Sequence, residues 1–458
     1  MKARLGSRIV QALSVLVFLG QGGEALGTIR AAELLCQKYT KAAGCESQAQ
    51  SCKVCHAGPP AFNQYGKDLA GKVSGNLEET LLMGLEAVEP LDSDKDGVIN
   101  REELENYSLP GDAEVKPMTS AKFVYDIGVA YRRVLAVYCG ESPTYAAMSA
   151  LRAATDPKVG KDMLHQKLTE CLNSAYWKDE AVARLADPKI QPLAAIGFGG
   201  NVVIGDYRWD YRLFRYVMTG DRDVRDLLLA QYHVDANGNQ ITGAVPREEP
   251  FQLGQRIVIA GGQPLQANRR AGMITTQWFI STNTMFALLP RNTAAQAYRA
   301  YLGLDLAKGE GLFPIAGEPR DVDNKRVNQG ECAVCHSTLD PLSYAFSTYR
   351  GIEISAALAT GNPIGTYNPG RTSWEAQGHL FGTSVPDVLT WAKMGANSEA
   401  FQKNIARMMF VQALSRDPLP HEKDEFDSLW KGLPAEGYSV NKLLHRLVDT
   451  VAFGGRKA

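Results

Sequence analysis

A mostly α-helical, multi-domain fold is what this sequence predicts, and three observations carry the prediction. Apolar residues recur at intervals of three and four over long stretches, period-two alternation is scarce, and proline and glycine clusters divide the 458 residues into segments of domain size. The segments read as 1–27, 28–116, 117–325 and 326–458. The first opens with Met1-Lys2-Ala3-Arg4 and Arg8, continues as an apolar run from Ile9 to Leu19, and reaches a small-x-small site at Ala25-Leu26-Gly27. That is the layout of a secretory signal peptide, which places the mature chain in the periplasm or outside the cell. The run is about half the ~20 apolar residues a bilayer span needs, and no other stretch reaches that length, so no membrane span is expected in the mature chain. A formal net charge of −1 gives no reason to expect binding to nucleic acid.

Local patterns place the elements within these segments. Helices are expected over Ala31–Ala43 and from Asn76 to Val88, the second stopping before Pro90 because proline restricts the residue ahead of it. Leu109-Pro110-Gly111-Asp112-Ala113 marks a linker. Beyond it, Val124, Ile127, Ala130, Tyr131, Val134, Leu135 and Tyr138 form one apolar helical stripe. Further helices are expected over Gly160–Ser174 and Arg208–Tyr232, and Asp235-Ala236-Asn237-Gly238-Asn239 has the composition of a hairpin turn. The stretch Asn397–Phe453 is helical again, with Val440, Leu443, Leu444, Leu447, Val448 and Val451 on one apolar face.

Two short words carry most of the chemistry: Cys52-Lys53-Val54-Cys55-His56 and Cys332-Ala333-Val334-Cys335-His336. Both have the form C-x-x-C-H. With 8 Cys and 7 His in the chain, chance supplies such a word only about 0.002 times. Two thiols at this spacing can add to the two vinyl groups of one porphyrin, while the adjacent imidazole reaches the iron. Zinc would require further Cys or His pairs beside each word, and there are none. Two covalently bound haem c groups are therefore expected, held by Cys52, Cys55 and His56 and by Cys332, Cys335 and His336. The fold becomes two cytochrome c-like haem modules flanking a helical middle domain.

Cys36, Cys45, Cys139 and Cys171 remain, an even number that pairs in an oxidising compartment. Of three possible pairings the local one is expected, Cys36 with Cys45 and Cys139 with Cys171. For the sixth iron ligands, Met118 follows Pro117 in an apparent loop and is the first choice at the N-terminal haem. Met83 is second, its mid-helix position suiting a core residue better. At the C-terminal haem, Met394 and His379 are nearly equal candidates, whereas Met408 and Met409 read as core fillers.

The N-terminal module also contains Asp92-Ser93-Asp94-Lys95-Asp96-Gly97-Val98-Ile99-Asn100-Arg101-Glu102-Glu103, which matches the EF-hand calcium loop at every fixed position. Asp92, Asp94 and Asp96 supply alternating carboxylates, Gly97 the sharp turn, Val98 a carbonyl, Asn100 a side chain or water, and Glu103 a bidentate carboxylate. Ile99 is expected to anchor the loop to a core. One structural Ca2+ follows as an expectation. Nothing in the middle segment spells catalysis: His165 and His233 read as packing or surface residues, and Gly197-Phe198-Gly199-Gly200 lacks the lysine and spacing of a phosphate cradle.

The word at Cys332, followed by Asp340-Pro341-Leu342 and Tyr344-Ala345, resembles the cytochrome-like domains abundant in planctomycetes and related bacteria. Arg270-Ala271-Gly272-Met273-Ile274-Thr275 and the final Thr450-Val451-Ala452-Phe453 resemble the modules that flank those domains. The chain departs from the pattern at Ser343, Ser347 and Arg350, where glycine, glutamate and aspartate are usual. Pro59-Pro60, Asn63, Tyr65-Gly66 and the calcium loop resemble small exported haem domains of deltaproteobacterial type. These resemblances imply electron transfer rather than a named reaction. The expected function is a soluble, exported di-haem cytochrome carrying single electrons between redox proteins. The alternatives are a di-haem peroxidase or oxidoreductase with one open iron, or a haem-bearing subunit of a larger electron-transfer complex.

Overall fold

The computed structural model describes residues 29–457 apart from 44, 46–47, 59–60, 75–76, 116, 118–122, 194–201, 204, 247–250, 254–255, 259–261, 285–286, 352–364 and 372–376. Helices make up about 55% of the chain, and the strands are few and short, as a mostly α fold requires. None of the described helices is long and apolar enough to cross a membrane. The chain divides into two compact units, Met1–Pro117 and Met118–Ala458.

In the first unit, helices Ile29–Lys38, Gln48–Cys55, Gln64–Ala70, Leu77–Val88 and Asn100–Glu105 surround a small core. Leu34, Leu35, Val54, Tyr65, Leu69, Leu81, Leu85 and Leu104 fill it. Cys36 and Cys45 form the local disulfide. The helices at 64–70 and 77–88 approach closely at Gly84, where a β-carbon would lie 3.3 Å from Leu69.

The second unit has one apolar core that runs from Ala130 to Phe453 and includes residues on both sides of 325, among them Leu302, Leu342 and Trp391. Its two ends meet, because the strand Phe123–Tyr125 pairs antiparallel with Gly455–Lys457. That pairing corrects the expected helical stripe at its start. Asp126 caps the helix Ile127–Val134 by accepting from the Gly128 and Val129 amides, so Val124 falls in the strand before the cap and stays half exposed. Ala130, Tyr131, Val134, Leu135 and Tyr138 are buried as the stripe requires, the last two in a π-helical turn. The helix expected over Arg208–Tyr232 is two helices, Arg208–Met218 and Asp226–Leu229, separated at Gly220, whose φ of +73° is left-handed. The hairpin forms as read: Asp235 accepts from the amides of Asn237 and Asn239, and His233–Val234 pairs with Gln240–Ile241.

Cys139 and Cys171 form the second disulfide, fastening the π-helical turn Leu135–Cys139 to the helix Pro157–Asn173. Replacing both by serine is expected to cost about 3–4 kcal/mol from the closed loop, read as a lower urea midpoint for this unit. A second expectation concerns Asp210, which is fully buried: one carboxylate oxygen accepts from Thr276 Oγ1 and the other has no partner among the described residues. Burial pushes its pKa up to about 8. Since this lies above the unfolded value of about 3.9, the contribution of Asp210 to stability is fully present below about pH 4 and is lost as the pH rises towards 8. Asp210→Asn is expected to flatten that decline in a series of thermal melts.

Candidate haem and calcium sites

The first C-x-x-C-H word occupies the end of the Gln48–Cys55 helix, with His56 opening the strand His56–Gly58. Val54 is fully buried between the two cysteines, while Cys52 and Cys55 stay partly accessible. Asn63 clamps the word: its amide nitrogen donates to the carbonyls of Lys53 (3.2 Å) and Val54 (2.9 Å), and its backbone N–H donates to that of Cys55 (3.0 Å). The same side chain accepts from the Gly66 amide and caps the helix Gln64–Ala70. Gly66 is required by close approach, since a β-carbon there would lie 2.1 Å from the Cys55 carbonyl oxygen. The His56 ring stacks on Phe62 at 4.7 Å. Its Nδ1 is buried and has no partner among the described residues.

The second word instead opens a helix, Cys332–Tyr344, so its cysteines share one face by their spacing of three. One turn on from His336 stands Asp340, fully buried, with Oδ1 2.8 Å from His336 Nδ1. Arg291, first residue of the helix Arg291–Leu302, grips the same carboxylate through Nε (2.6 Å) and Nη2 (2.8 Å). Its other edge meets Asp323 at 2.6 and 2.9 Å. Burial works against the Arg291 charge, but the hydrogen bonds to Asp340 and Asp323 outweigh it and raise its pKa. A carboxylate on Nδ1 fixes the tautomer and orientation of a ligating imidazole and makes Nε2 the better donor. Sequence reading singled out Asp340 through its motif and missed Arg291 and Asp323, which lie 49 and 32 positions from their partners. Ser343 and Ser347 each bond three residues back along the chain, Ser343 to the Asp340 carbonyl and Ser347 to that of Tyr344.

The acidic loop gathers oxygen donors. One ligand atom from each of Asp92, Asp94 and Asp96 lies within 4.8 Å of the others. Gly97 turns at φ +97°, and the amides of Asp96 and Gly97 donate to Asp92. Glu103 is fully buried, with Oε1 accepting from Ser108 Oγ at 3.2 Å and Oε2 without a partner among the described residues. Burial first, and then the Asp94 charge, push its pKa up to about 8; burial also raises that of Asp94. An orphaned buried carboxylate beside further carboxylates fits a hard divalent cation. Val98 is the seventh residue of the loop, where its carbonyl would join. Asn100 is fully buried and engaged within the loop, donating to the Val88 carbonyl (2.7 Å) and Ser93 Oγ (2.9 Å) and accepting from the Ser93 amide. It, rather than Ile99, anchors the loop; Ile99 is 37% exposed.

The structure places the sixth-ligand candidates unevenly. Met118 and the signal segment 1–27 lie outside the described residues. Met83 is not a core residue: it is 61% exposed, because the Leu77–Val88 helix buries Leu81, Leu85 and Val88 on its other face. Met394 is half-buried against the core in the helix Val388–Ala396. His379 lies on the strand Gly378–Leu380 between two buried neighbours and is itself partly exposed, with Nδ1 3.0 Å from the Gln377 carbonyl. That strand presses on the end of the helix that carries His336, since a β-carbon at Gly378 would lie 2.9 Å from Ala345. Met409 is fully buried, and Met408 is partly so. No protein-family model matches the chain, and neither a curated protein nor a solved structure matches it.

Proposed function

We propose that this chain is an exported di-haem c-type cytochrome that carries single electrons between redox proteins, alone or as part of a larger electron-transfer complex. The supporting observation is the division of its cysteines: four form two disulfides, and none of the four in the C-x-x-C-H words enters one. Haem would supply the one-electron couple. The chain's part is to clamp the first word through Asn63, orient His336 through Asp340, and stiffen the N-terminal unit with a bound Ca2+. One observation favours the second reading, a di-haem oxidoreductase or peroxidase: the buried carboxylate on His336 makes that imidazole a strong donor, which suits an iron left with an open position.

Protein matured in a host that attaches haem c is expected to exceed the mass of the processed polypeptide by two haem groups. A mass without covalent porphyrin overturns the proposal. Carbon monoxide added to the reduced protein separates the two readings. No spectral change is expected of a carrier with two six-coordinate irons, and a shift of one haem alone identifies the oxidoreductase.

A further inference from the structure

Away from these sites, two helices of the second unit bring a pair of imidazoles edge to edge. His165 lies on the helix Pro157–Asn173 and His445 on the helix Val440–Leu447, with Asp449 just beyond its end. The ring planes are within 16° of parallel with centroids 5.1 Å apart, and the rings meet at their edges, His165 Nδ1 lying 2.7 Å from His445 Nδ1. The outer nitrogens are engaged as well. His165 Nε2 is 3.2 Å from Asp449 Oδ2, and His445 Nε2 is 3.4 Å from Thr169 Oγ1. Lys161 approaches the other Asp449 oxygen at 3.2 Å and holds the carboxylate in place.

An ionised carboxylate only accepts, so His165 carries its hydrogen on Nε2 and turns the Nδ1 lone pair towards His445. His445 can answer in two ways. It can donate from Nδ1, which makes a simple hydrogen bond, or it can donate from Nε2 to Thr169 and present a second lone pair. Two facing lone pairs need a cation between them. Nitrogen–metal bonds of about 2.0–2.1 Å ask two ligands to stand roughly 3.0–3.4 Å apart, so a small opening of the pair is sufficient. The Asp449–His165 contact is then the outer-shell carboxylate that accompanies most ligating histidines. We propose that His165 and His445 chelate a nitrogen-seeking divalent ion such as Zn2+ through their Nδ1 atoms, with water completing its coordination and Asp449 orienting His165. The ion would staple the terminal helices to the helix that carries Cys171. Its donors differ in kind from the all-oxygen calcium loop.

The test titrates Zn2+ into the full-length, haem-loaded protein saturated with Ca2+, by calorimetry and by thermal melting. One equivalent in the micromolar range and a raised melting temperature are expected. His165→Gln and His445→Gln should each abolish the binding, and Asp449→Asn should weaken it about 10-fold. Zinc binding that persists unchanged in the double histidine variant overturns the proposal, as does no binding at millimolar zinc. A readout independent of variant folding is anomalous scattering at the zinc edge from soaked wild-type crystals. A peak between the two Nδ1 atoms is expected; zinc found only at His379 or the aspartate loop refutes the site.

Discussion

Replacing Asp340 by asparagine is expected to raise the reduction potential of the haem proposed at His336 by about 60–120 mV and to leave that of the haem proposed at His56 unchanged. The range follows from outer-shell carboxylates, whose removal changes the hold on a metal by about 10–100-fold, and from about 59 mV per tenfold change in a one-electron couple. The sign follows from charge. Asp340 is fully buried with an oxygen 2.8 Å from His336 Nδ1, so its negative charge acts through the imidazole and favours the more positive ferric iron. Asparagine keeps the shape and an acceptor oxygen and removes the charge. Arg291 would retain Asp323 at 2.6 Å, so the stability cost should stay near about 2–3 kcal/mol, the scale of a hydrogen bond to a charged group. Arg291→Lys provides the control. It loses the two-pronged grip on Asp340 but leaves the carboxylate beside His336, and the potential should then hold or fall. A spectroelectrochemical titration that resolves the two haems checks both variants. Equal potentials in the parent and Asp340→Asn would mean that His336 does not transmit the carboxylate's charge to iron.

What was legible in the sequence is what lies close together along it. The acidic loop is twelve contiguous residues, the His336–Asp340 pair is one helical turn, and the hairpin at Asp235–Asn239 is closed by its own side chains. The apolar face at Val440, Leu443, Leu444 and Leu447 is buried as its spacing implies, because helical period alone sets which residues share a side. Signals failed where a local polar group overrode a pattern. Asp126 restarts the helix and expels Val124 from the stripe, and a buried Asn100 takes the anchoring position that hydrophobicity would assign to Ile99. Contacts across long stretches left no trace in spacing. Arg291 holds Asp340 and Asp323, and His165 meets His445, 280 positions away, without any motif to announce them.

Removal of Ca2+ is expected to loosen the N-terminal unit selectively. In 10 mM Ca2+, a site of about 0.1 mM dissociation constant, typical of extracytoplasmic loops, adds about 2.7 kcal/mol to the folded state, or about 100-fold in amide protection. Hydrogen exchange on the full-length protein reads this directly. Peptides from the helices Leu77–Val88 and Asn100–Glu105 should lose protection in EGTA, while those from Pro157–Asn173 in the other unit should not change. Glu103 supplies a sharper version of the test, because its two states have opposite requirements. With calcium bound, its buried carboxylate is a ligand, and Glu103→Gln should weaken the site. Without calcium, burial and the Asp94 charge raise its pKa to about 8, so at about pH 9 the same carboxylate is a buried charge, one oxygen of which has no partner among the described residues, and there Glu103→Gln should stabilise the loop. The substitution is therefore expected to reverse sign between calcium and EGTA. A loop held only by its internal bonds, such as the Gly97 amide to Asp92, would show the same effect of Glu103→Gln in both solutions.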